Sequence, residues 1–238
     1  MYSNGIRASV AMAVFNGERY ICEQLDSILK MMGDDDEVII SYEDSNDRTL
    51  DIIKDYEQND RRVHVVFDEG HSVESNFNNA VANCRGDYIF LSDQDDIWIN
   101  DKINKMVEVF EENPDVVVLI SDGFQVDNNL NIINEIFETY HTTTNPIRNY
   151  VQGTYLGCQM AFKRTILEKV WPINVTPPLP HDLWLGIQGS KYGKVMLVND
   201  KMIYHRLHDE NYSNTSKMSF PQLIKERILF LTELMKRN

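Results

Sequence analysis

The sequence predicts an α/β fold, in which a mostly parallel central sheet carries helices on both faces. Two observations predict it. Short apolar segments typical of buried strands alternate with amphipathic segments of helical spacing over residues 1–120, and the connections between them are short. This alternation is typical of βαβ units, whose strands are parallel and whose ligands bind beyond the carboxyl ends of the strands. The loops at that edge are therefore the first places to search for a functional site.

The first half of the chain supplies the regular part of this pattern. Strand-like apolar segments occur at Ser9–Val14, Glu37–Ser41, Arg62–Phe67, Asp87–Leu91 and Val116–Ile120. Apolar residues three or four positions apart predict helices between them, at Glu18–Met32, Asp47–Tyr56, Val73–Cys84 and Ile103–Phe110. The loops after three of the strands read FNGE, YEDSND and SDQDDIW, so polar and acidic residues should meet at one edge of the sheet.

The pattern loosens after residue 121. The segment Tyr140–Asn149 is polar and predicts a loop, and Gly153–Phe162 resembles a strand. A short helix, two strands and a final amphipathic helix are expected further along, at His181–Gln188, Val195–Val198, Met202–Tyr204 and Phe220–Arg237. Because no internal repeat or linker interrupts the chain, we expect a single domain over residues 1–238 with a less regular second half.

Composition narrows the classes of function. The net charge is −14 at pH 7, from 37 acidic and 23 basic residues, which argues against a general nucleic-acid binder because such proteins need a basic surface. Three scattered cysteines, Cys22, Cys84 and Cys158, indicate reduced thiols rather than disulfides or a zinc site. There is no signal-peptide segment and no apolar run near the ~20 residues that span a bilayer, so we expect a cytoplasmic protein.

The stretch FLSDQDDIW ends a strand-like segment in three carboxylates, Asp93, Asp95 and Asp96. Carboxylates this close repel one another, so the alternatives are a solvated acidic turn and a divalent cation that compensates them. An EF-hand would need an oxygen ligand and a glycine where this chain has Ile97 and Trp98. A haloacid-type phosphatase places its D-x-D motif after the first strand, whereas this one follows the fourth. The loop therefore favours Mg²⁺ or Mn²⁺ bound by carboxylates and a substrate phosphate.

The same loop resembles that of a known family. SDQDDIW, preceded by RGDYIFL and followed by a helix, resembles the D-x-D-D signature of family 2 glycosyltransferases, most strongly of bacterial rhamnosyltransferase-like members that build surface polysaccharides. Other segments resemble the family at Phe15–Gly17, Glu23–Leu29, Gly157–Phe162, His181–Trp184 and His205–His208. The resemblance implies a GT-A fold. A Rossmann-like nucleotide-binding half (residues 1–120) would precede an acceptor-binding half (121–216) and a C-terminal helix (217–238).

The resemblance also implies roles for individual residues. Asp95 would bind Mn²⁺ or Mg²⁺, with Asp93 beside it on the metal or the ribose and His208 as a further ligand. Asp96 would support the site or contact the sugar, and Asp182 would be the catalytic base unless it only caps a helix. The further residues that would bind the donor are Ala13, Phe15, Asn16, Glu18, Asn76, Ser92, Gln94 and Arg206, the last facing the diphosphate. The residues that would bind the acceptor are Gly157, His181 and Trp184. For Trp184, the alternative to a sugar platform is packing in the core.

One segment departs from the family pattern. The family's D-D-G-S-x-D-x-T loop is here YEDSNDRT, in which Tyr42, Glu43 and Asp44 replace Asp, Asp and Gly. The second carboxylate of that loop usually accepts the imide N–H of a pyrimidine, and Glu43 can still do so with one more methylene. Tyr42 could stack on the base instead. The departure leaves the identity of the nucleotide open.

The resemblance predicts an inverting, metal-dependent glycosyltransferase. It would move a sugar from a UDP- or dTDP-linked donor to a hydroxyl of a glycan or lipid-linked oligosaccharide in bacterial surface polysaccharide biosynthesis. The alternatives are a sugar-phosphate nucleotidyltransferase and a non-catalytic nucleotide-sugar binder. A nucleotidyltransferase normally opens with a Gly-rich, basic loop, and the segment FNGERY lacks that pattern. The segment Lys217–Asn238 carries five basic and two acidic residues. It predicts either contact with an anionic membrane, such as the cytoplasmic face of the inner membrane, or packing against the domain.

Overall fold

The secondary structure follows from a computed structural model that describes residues 2–173, 179–209 and 220–236. Within these ranges the strands are β1 (Ala8–Val14), β2 (Asp36–Glu43), β3 (Val63–Asp68), β4 (Tyr88–Ser92), β5 (Ile97–Trp98), β6 (Val116–Val126), β7 (Ile132–Glu135), β8 (Met160–Lys163) and β9 (Lys194–Arg206). The helices are α1 (Ile21–Leu29), α2 (Thr49–Asn59), α3 (Val73–Asn83), α4 (Lys102–Glu112), α5 (Ile136–Tyr140), α6 (Pro146–Gln152), α7 (Leu167–Val170), α8 (His181–Gly189) and α9 (Phe220–Lys236).

All nine of these strands belong to one sheet, in the order β3-β2-β1-β4-β8-β6-β9-β5, with β7 paired to β6. β1 is parallel to both β2 and β4, and β2 is parallel to β3. β8 lies antiparallel between β4 and β6, so it joins the first and second halves of the chain. β6 and β9, which form the longest pairing, are again parallel. The predicted α/β class with a mostly parallel central sheet is confirmed.

Helices cover both faces of the sheet, as predicted. Val10 and Met12 of β1 face a core shared with α1, α2 and α4, whereas Ala11 faces the core that includes residues of α3, α8 and α9. A strand buried on both faces needs a continuous apolar sequence, which explains why β1 shows no polar alternation. Each fully buried Leu, Ile or Phe side chain contributes roughly 1.5–3 kcal/mol of hydrophobic free energy. The two cores therefore give the loops at the sheet edge a rigid support.

The five strands and four helices predicted over residues 1–120 are confirmed as β1 to β4 and β6, and as α1 to α4. β6 continues beyond the predicted end, to Val126. The sequence did not predict β5, because two residues are too few to show a period. β5 exists because Ile97 and Trp98 pair antiparallel with Tyr204 and Ile203 of β9, a contact between distant parts of the chain.

The predicted loop Tyr140–Asn149 is wrong in its second part. Pro146 begins α6, and the side-chain oxygen of Asn145 accepts the backbone N–H of Arg148 at 3.0 Å. Asn at the cap position followed by Pro at the first helical position is a strong helix start. The polar composition of the segment concealed this signal.

The strands of the second half also differ from the prediction. In Gly153–Phe162, only the residues from Met160 onward form β8, and a 3₁₀ turn at Gly157–Gln159 precedes them. The two strands expected at Val195–Val198 and Met202–Tyr204 are one strand, β9. The polar residues between them are accommodated by an irregularity in the pairing with β6.

The predicted C-terminal helix is present as α9, although residues 217–219, 237 and 238 lie outside the described part of the chain. Its Phe230 is fully buried, and the ring centroid lies 5.4 Å from that of Trp184 in α8. Packing against the domain, one of the two alternatives for this segment, is therefore confirmed for one face of the helix. No helix in the described ranges is long and apolar enough to cross a membrane.

Candidate active site

The carboxyl ends of β1, β2 and β4 lie side by side at one edge of the sheet. In the parallel register Val14 of β1 lies opposite Tyr42 of β2, and Met12 lies opposite Ser92 of β4. The loops that follow these strands comprise residues 15–20, 44–48 and 93–96. This edge is where parallel α/β sheets bind ligands.

The first two loops are held together by side chains that accept hydrogen bonds from backbone N–H groups. Asn16, in the left-handed region at φ 47°, accepts from Asn46 at 2.9 Å through its Oδ1. Ser45 Oγ accepts from the N–H of Asn16 at 3.0 Å, and Glu18 Oε2 accepts from Arg48 at 2.7 Å. Asn16 and Glu18, both predicted to bind the donor, thus shape the loop that would hold the nucleotide.

Gln94 connects the acidic loop to the loop after β1. Its side-chain amide donates to the carbonyl of Phe15 at 2.7 Å and accepts from the N–H of Phe15 at 2.9 Å. A Cβ at Gly17 would lie 2.5 Å from Gln94 Oε1, so this approach requires glycine. Below it, Ser92 Oγ accepts from Gln24 Nε2 at 2.9 Å. The Phe15 ring remains 45% exposed at the open side of the edge.

The structure excludes one alternative for the nucleotide base. Tyr42 is only 4% exposed, its ring meets Phe67 edge-on at 5.8 Å, and its hydroxyl accepts the N–H of Ser45 at 2.9 Å. The suggestion that Tyr42 stacks on the base is therefore wrong, because its ring packs in the core. Glu43 ends β2 with its carboxylate 3.6 Å from His71 Nδ1. The role of Glu43 as a base-binding residue stays a prediction.

Asp95 and His208 converge from opposite ends of the chain. Asp95 Oδ2 lies 2.9 Å from His208 Nε2, and the imidazole stacks on Tyr20 with ring centroids 4.8 Å apart. Adjacent ligands of an octahedral ion with bonds of about 2.1 Å lie about 3 Å apart. The separation is that of a hydrogen bond, and it is also the one that a carboxylate and an imidazole would have as adjacent ligands of Mn²⁺.

Asp93 is the carboxylate of the loop whose pKa is raised by its surroundings. Burial and the negative charges of Asp96 and Asp95 raise the pKa of Asp93 to about 8. A carboxylate in this situation is stabilised by positive charge close to it. The donor set of the loop therefore fits a cation and the phosphates that a cation binds.

Asp96 anchors the acidic loop to β9. It is fully buried, and its Oδ1 lies 2.9 Å from His205 Nδ1 and accepts the backbone N–H of Arg206 at 3.2 Å. Although burial opposes it, the Asp96 carboxylate raises the pKa of His205 to about 9, so the pair is ionic. Supporting the site, one of the two roles expected for Asp96, matches this contact. His205 was not predicted, because no sequence signal separates it from His208 as a candidate ligand.

A second group of potential metal ligands lies behind this pair. Asp96, Cys158 and His205 each present one ligand atom, all within 4.8 Å of one another. Burial raises the pKa of the Cys158 thiol, and a sulfur ligand suits soft metals rather than Mn²⁺ or Mg²⁺, which prefer oxygen ligands. Lys102, also unpredicted, is buried, donates to the Cys158 carbonyl at 2.5 Å and lies 4.3 Å above the Trp98 ring. Because of these contacts, the second group packs behind the acidic loop and supports it. The pair Asp95–His208 fits Mn²⁺ or Mg²⁺ better.

Arg206 is predicted to face the diphosphate, and the structure places it just below the acidic loop. It is 3% exposed, donates from Nε to the Asp95 carbonyl at 3.1 Å, and lies 2.5 Å from Glu23 Oε2 through Nη2. Nη1 donates to the carbonyl of Asn128 at 3.3 Å. In this arrangement the guanidinium fixes the backbone of Asp95, and its contact with a diphosphate stays a prediction.

Asp182 stands in the first turn of α8, close enough for its charge to act on Asp93 of the acidic loop. Its Oδ1 accepts the backbone N–H of Leu183 at 2.6 Å. Burial raises the pKa of Asp182 to about 6, and its negative charge in turn contributes to the raised pKa of Asp93. A carboxylate of this kind, close to the acidic loop yet separate from it, can accept a proton near neutral pH.

The three residues predicted to bind the acceptor fall in different environments. The His181 ring packs on Phe77 with centroids 4.2 Å apart, and Gly157 leaves room for it because a Cβ there would collide with His181 Nε2. Burial lowers the pKa of His181 to about 4, so it is neutral. Trp184 is fully buried and donates to the carbonyl of Val170 at 2.7 Å. Its prediction as an acceptor contact is wrong, because this ring belongs to the core.

Two further residues predicted to bind the donor lie at the end of β1. Asn76 of α3 is buried and donates to the carbonyl of Val14 at 3.0 Å, so it fixes the point at which the strand ends. Ala13 is partly buried against the same core as α3. The structure thus brings the predicted donor residues to one sheet edge, and their contacts with a donor stay predictions.

The sheet and the acidic loop at its carboxyl edge are arranged as in a glycosyltransferase of the GT-A fold. Residues 9–171 match the family model described as "Glycosyl transferase family 2". The chain belongs to this family, which confirms the resemblance drawn from the acidic loop.

Relatives support the same assignment. The chain is 25% identical over 217 residues to an uncharacterized glycosyltransferase of Nostoc sp., covering 87% of this chain and 66% of that protein. It is 28% identical over 216 residues to one of Methanocaldococcus jannaschii, covering 88% and 74%. Chondroitin synthase of Escherichia coli is 26% identical over 212 residues, which are 86% of this chain and 29% of the synthase. The chain therefore spans about two thirds of the first relative and under a third of the synthase.

Solved structures share the fold. S. aureus TarS in complex with UDP-GlcNAc superposes with a TM-score of 0.69 at 16% identity, over 98% of this chain and 72% of that one. A mannosyltransferase of Pyrobaculum calidifontis in complex with GDP-Man and Mn²⁺ gives 0.63 at 14% identity, over 97% and 64%. At these identities the likeness shows the fold alone.

Proposed function

We propose that this glycosyltransferase is inverting and metal-dependent. It transfers a sugar from a UDP- or dTDP-linked donor to a hydroxyl of a glycan or lipid-linked oligosaccharide in bacterial surface polysaccharide biosynthesis. The observation that carries the proposal is the 2.9 Å approach of Asp95 Oδ2 to His208 Nε2 at the carboxyl edge of the sheet. The complexes of the two structural neighbours with a nucleotide sugar, one of them with Mn²⁺, and the similarity to chondroitin synthase support it.

The residues of the candidate site would have separate roles. Asp95 and His208, with Asp93 beside them, would hold the divalent ion, which neutralises the charge that develops on the departing nucleoside diphosphate. Glu43 would accept the imide N–H of the pyrimidine, within the loop that Asn16 and Glu18 hold in place. The donor half is then residues 1–120, and the acceptor half is residues 121–216.

Asp182 would be the base. The acceptor oxygen attacks the anomeric carbon from the face opposite the nucleotide, the bond from that carbon to the diphosphate oxygen breaks, and the hydroxyl proton passes to the Asp182 carboxylate. The configuration at the anomeric carbon is inverted. A positioned base of this kind contributes typically ~10²–10⁴-fold to the rate. With a pKa of about 6, Asp182 is mostly ionised at pH 7 and still basic enough to take the proton.

A thermal-shift panel tests the donor class. UDP, dTDP, GDP and CDP are each added with and without Mn²⁺. We expect UDP or dTDP with Mn²⁺ to raise the Tm by about 5 °C or more at a hundredfold excess over Kd. Glu112→Gln, an exposed change on α4, is the matched control and should behave as the wild type. Stabilisation that is equal with and without the metal for every nucleotide contradicts the metal assignment.

We extend the proposal to a peripheral membrane contact through the exposed face of α9. Ile224, Ile228, Leu231 and Met235 recur at helical spacing and are 45–70% exposed, although Phe230 on the other face is buried. Apolar residues beside basic ones suit the surface of an anionic bilayer. The free thiols of the chain fit a location at the cytoplasmic face of the inner membrane. Ile228→Ser/Leu231→Ser should co-sediment less with anionic vesicles than the full-length wild type, and equal binding removes this contact.

A further inference from the structure

Helix α9 lies beyond the matched residues 9–171 and still reaches the base. Phe230 packs on Trp184 at 5.4 Å and on Tyr150 at 5.9 Å, and the Tyr150 hydroxyl donates to the carbonyl of Arg227 at 2.8 Å. Trp184 stands two residues after Asp182 in α8. This packing brings the turn of α9 before Phe230 to the end of α8 that carries Asp182.

That turn carries two charged side chains, Glu226 and Arg227. Glu226 is 8% exposed, and its Oε1 lies 3.0 Å from Arg227 Nη1. Burial raises the pKa of Glu226, and the charges of Asp182 and Glu74 raise it further against the effect of Arg227. Arg227 also lowers the pKa of Asp182. The influence of these charges on one another indicates that they share one poorly screened region.

Helix α3 provides the opposite side of this space. His181 packs on Phe77 at 4.2 Å, and Glu74 lies one turn earlier on the same helix. Three buried polar atoms here have no hydrogen-bond partner among the described residues: Glu74 Oε2, His181 Nε2 and Arg227 Nε. Buried polar groups are normally satisfied, so unsatisfied ones that converge beside a reactive group indicate a ligand that provides the partners.

The charge of the space restricts that ligand. Among the described residues, the charged groups that act on Asp182 and Glu226 include Glu74 and Arg227, and Arg227 already pairs with Glu226. His181 is neutral because its pKa is lowered to about 4. An additional carboxylate or phosphate would meet three like charges in a region of low dielectric. Hydroxyl groups suit the space, because they donate to carboxylates and accept from the guanidinium.

We propose that Glu74, His181, Glu226 and Arg227 form the subsite for the acceptor beside Asp182, and that this subsite takes an uncharged saccharide rather than a uronic acid or a sugar phosphate. The inference rests on the proposed function, since it takes Asp182 as the base. It extends the acceptor site to α9 and assigns the chemical class of the acceptor residue.

The test is ligand-observed saturation-transfer NMR on the full chain with UDP and Mg²⁺, a diamagnetic ion that leaves the ligand signals sharp. The probes are methyl glucoside against methyl glucuronide, and methyl galactoside against methyl galacturonide, pairs that differ only at C6. We expect the neutral member of at least one pair to give a signal about fivefold or more above its acidic counterpart. An acidic member that binds as well as or better than its neutral partner, or no signal from any of the four, overturns the proposal.

Two variants separate a subsite from a structural role. Glu74→Gln/Glu226→Gln keeps the shape but removes two negative charges, so the preference for the neutral sugar should fall toward unity while the binding of UDP with Mn²⁺ is unchanged. Glu233→Gln, two turns further along α9, is the matched control and should keep the preference. An unchanged preference in the double variant contradicts the inference alone. Loss of UDP binding in the wild type contradicts the proposed function instead.

Discussion

The donor and acceptor corners of the candidate site differ in how their charges are compensated. The donor corner comprises Asp93, Asp95, Asp96, His205 and His208, and the acceptor corner comprises Glu74, His181, Asp182, Glu226 and Arg227. In the donor corner Asp96 and Asp95 each lie 2.9 Å from an imidazole, while the raised pKa of Asp93 indicates negative charge that is not compensated. In the acceptor corner buried polar atoms lack partners among the described residues. The donor corner thus calls for a cation, whereas the acceptor corner, on the inference above, calls for hydroxyl groups.

The largest expected effect separates chemistry from binding. Asp182→Asn keeps the shape of the acceptor corner but removes the base, so kcat should fall by ~10²–10⁴-fold. The binding of UDP with Mn²⁺ should be retained, since the donor corner is untouched. The measurement is nucleoside diphosphate release under saturating substrates, beside calorimetric titration of UDP. A variant that keeps full turnover would show that the proton goes elsewhere, and a protein without turnover in either form would be a binder only.

The next effect determines whether Trp184 belongs to the core or to the acceptor corner. Trp184 lies under this corner, and Trp184→Ala should lower the free energy of unfolding by about 3–5 kcal/mol, because it leaves a large cavity against Phe230. Urea denaturation measures it. Trp184→Phe preserves most of the volume and is the matched variant. At a temperature where it is folded, its KM for the acceptor should equal that of the wild type, and a raised KM would return Trp184 to the acceptor site.

The smallest effect is a pH dependence that reports on the base. The folded pKa of Asp182, about 6, lies above its ordinary value because the group is buried. The base must be ionised, so kcat/KM should be constant well above pH 6 and fall about tenfold per pH unit below it. Asp182→Asn should lose this limb in its residual activity. A limb near pH 4 would indicate a solvated carboxylate and weaken the contrast between the two corners.

Much of the donor corner could be predicted from the sequence, because local patterns define it. The strand that ends in SDQDDIW places Asp93 and Asp95 at the sheet edge without any distant contact. His205 could not be predicted, since its pairing with Asp96 spans 109 positions and depends on how β9 enters the sheet. The position of Tyr42 could not be predicted either, because it depends on the fold of a turn in which the backbone N–H of Ser45 donates to the Tyr42 hydroxyl.

The acceptor corner was largely hidden from the sequence. Asp182 was found only through its resemblance to a family position, and an Asp in the first turn of a helix is otherwise an ordinary cap. Glu226 and Arg227 read as the polar face of an amphipathic helix. Their position beside Asp182 follows from the contact between Phe230 and Trp184, which no local pattern encodes.

The most direct test is a crystal of the protein with UDP and Mn²⁺, with anomalous diffraction recorded to locate the metal. An anomalous peak within about 2.0–2.4 Å of both Asp95 Oδ2 and His208 Nε2 is the predicted result. A peak at Asp96, Cys158 and His205 instead, or UDP bound in full with no peak at this edge of the sheet, would contradict it.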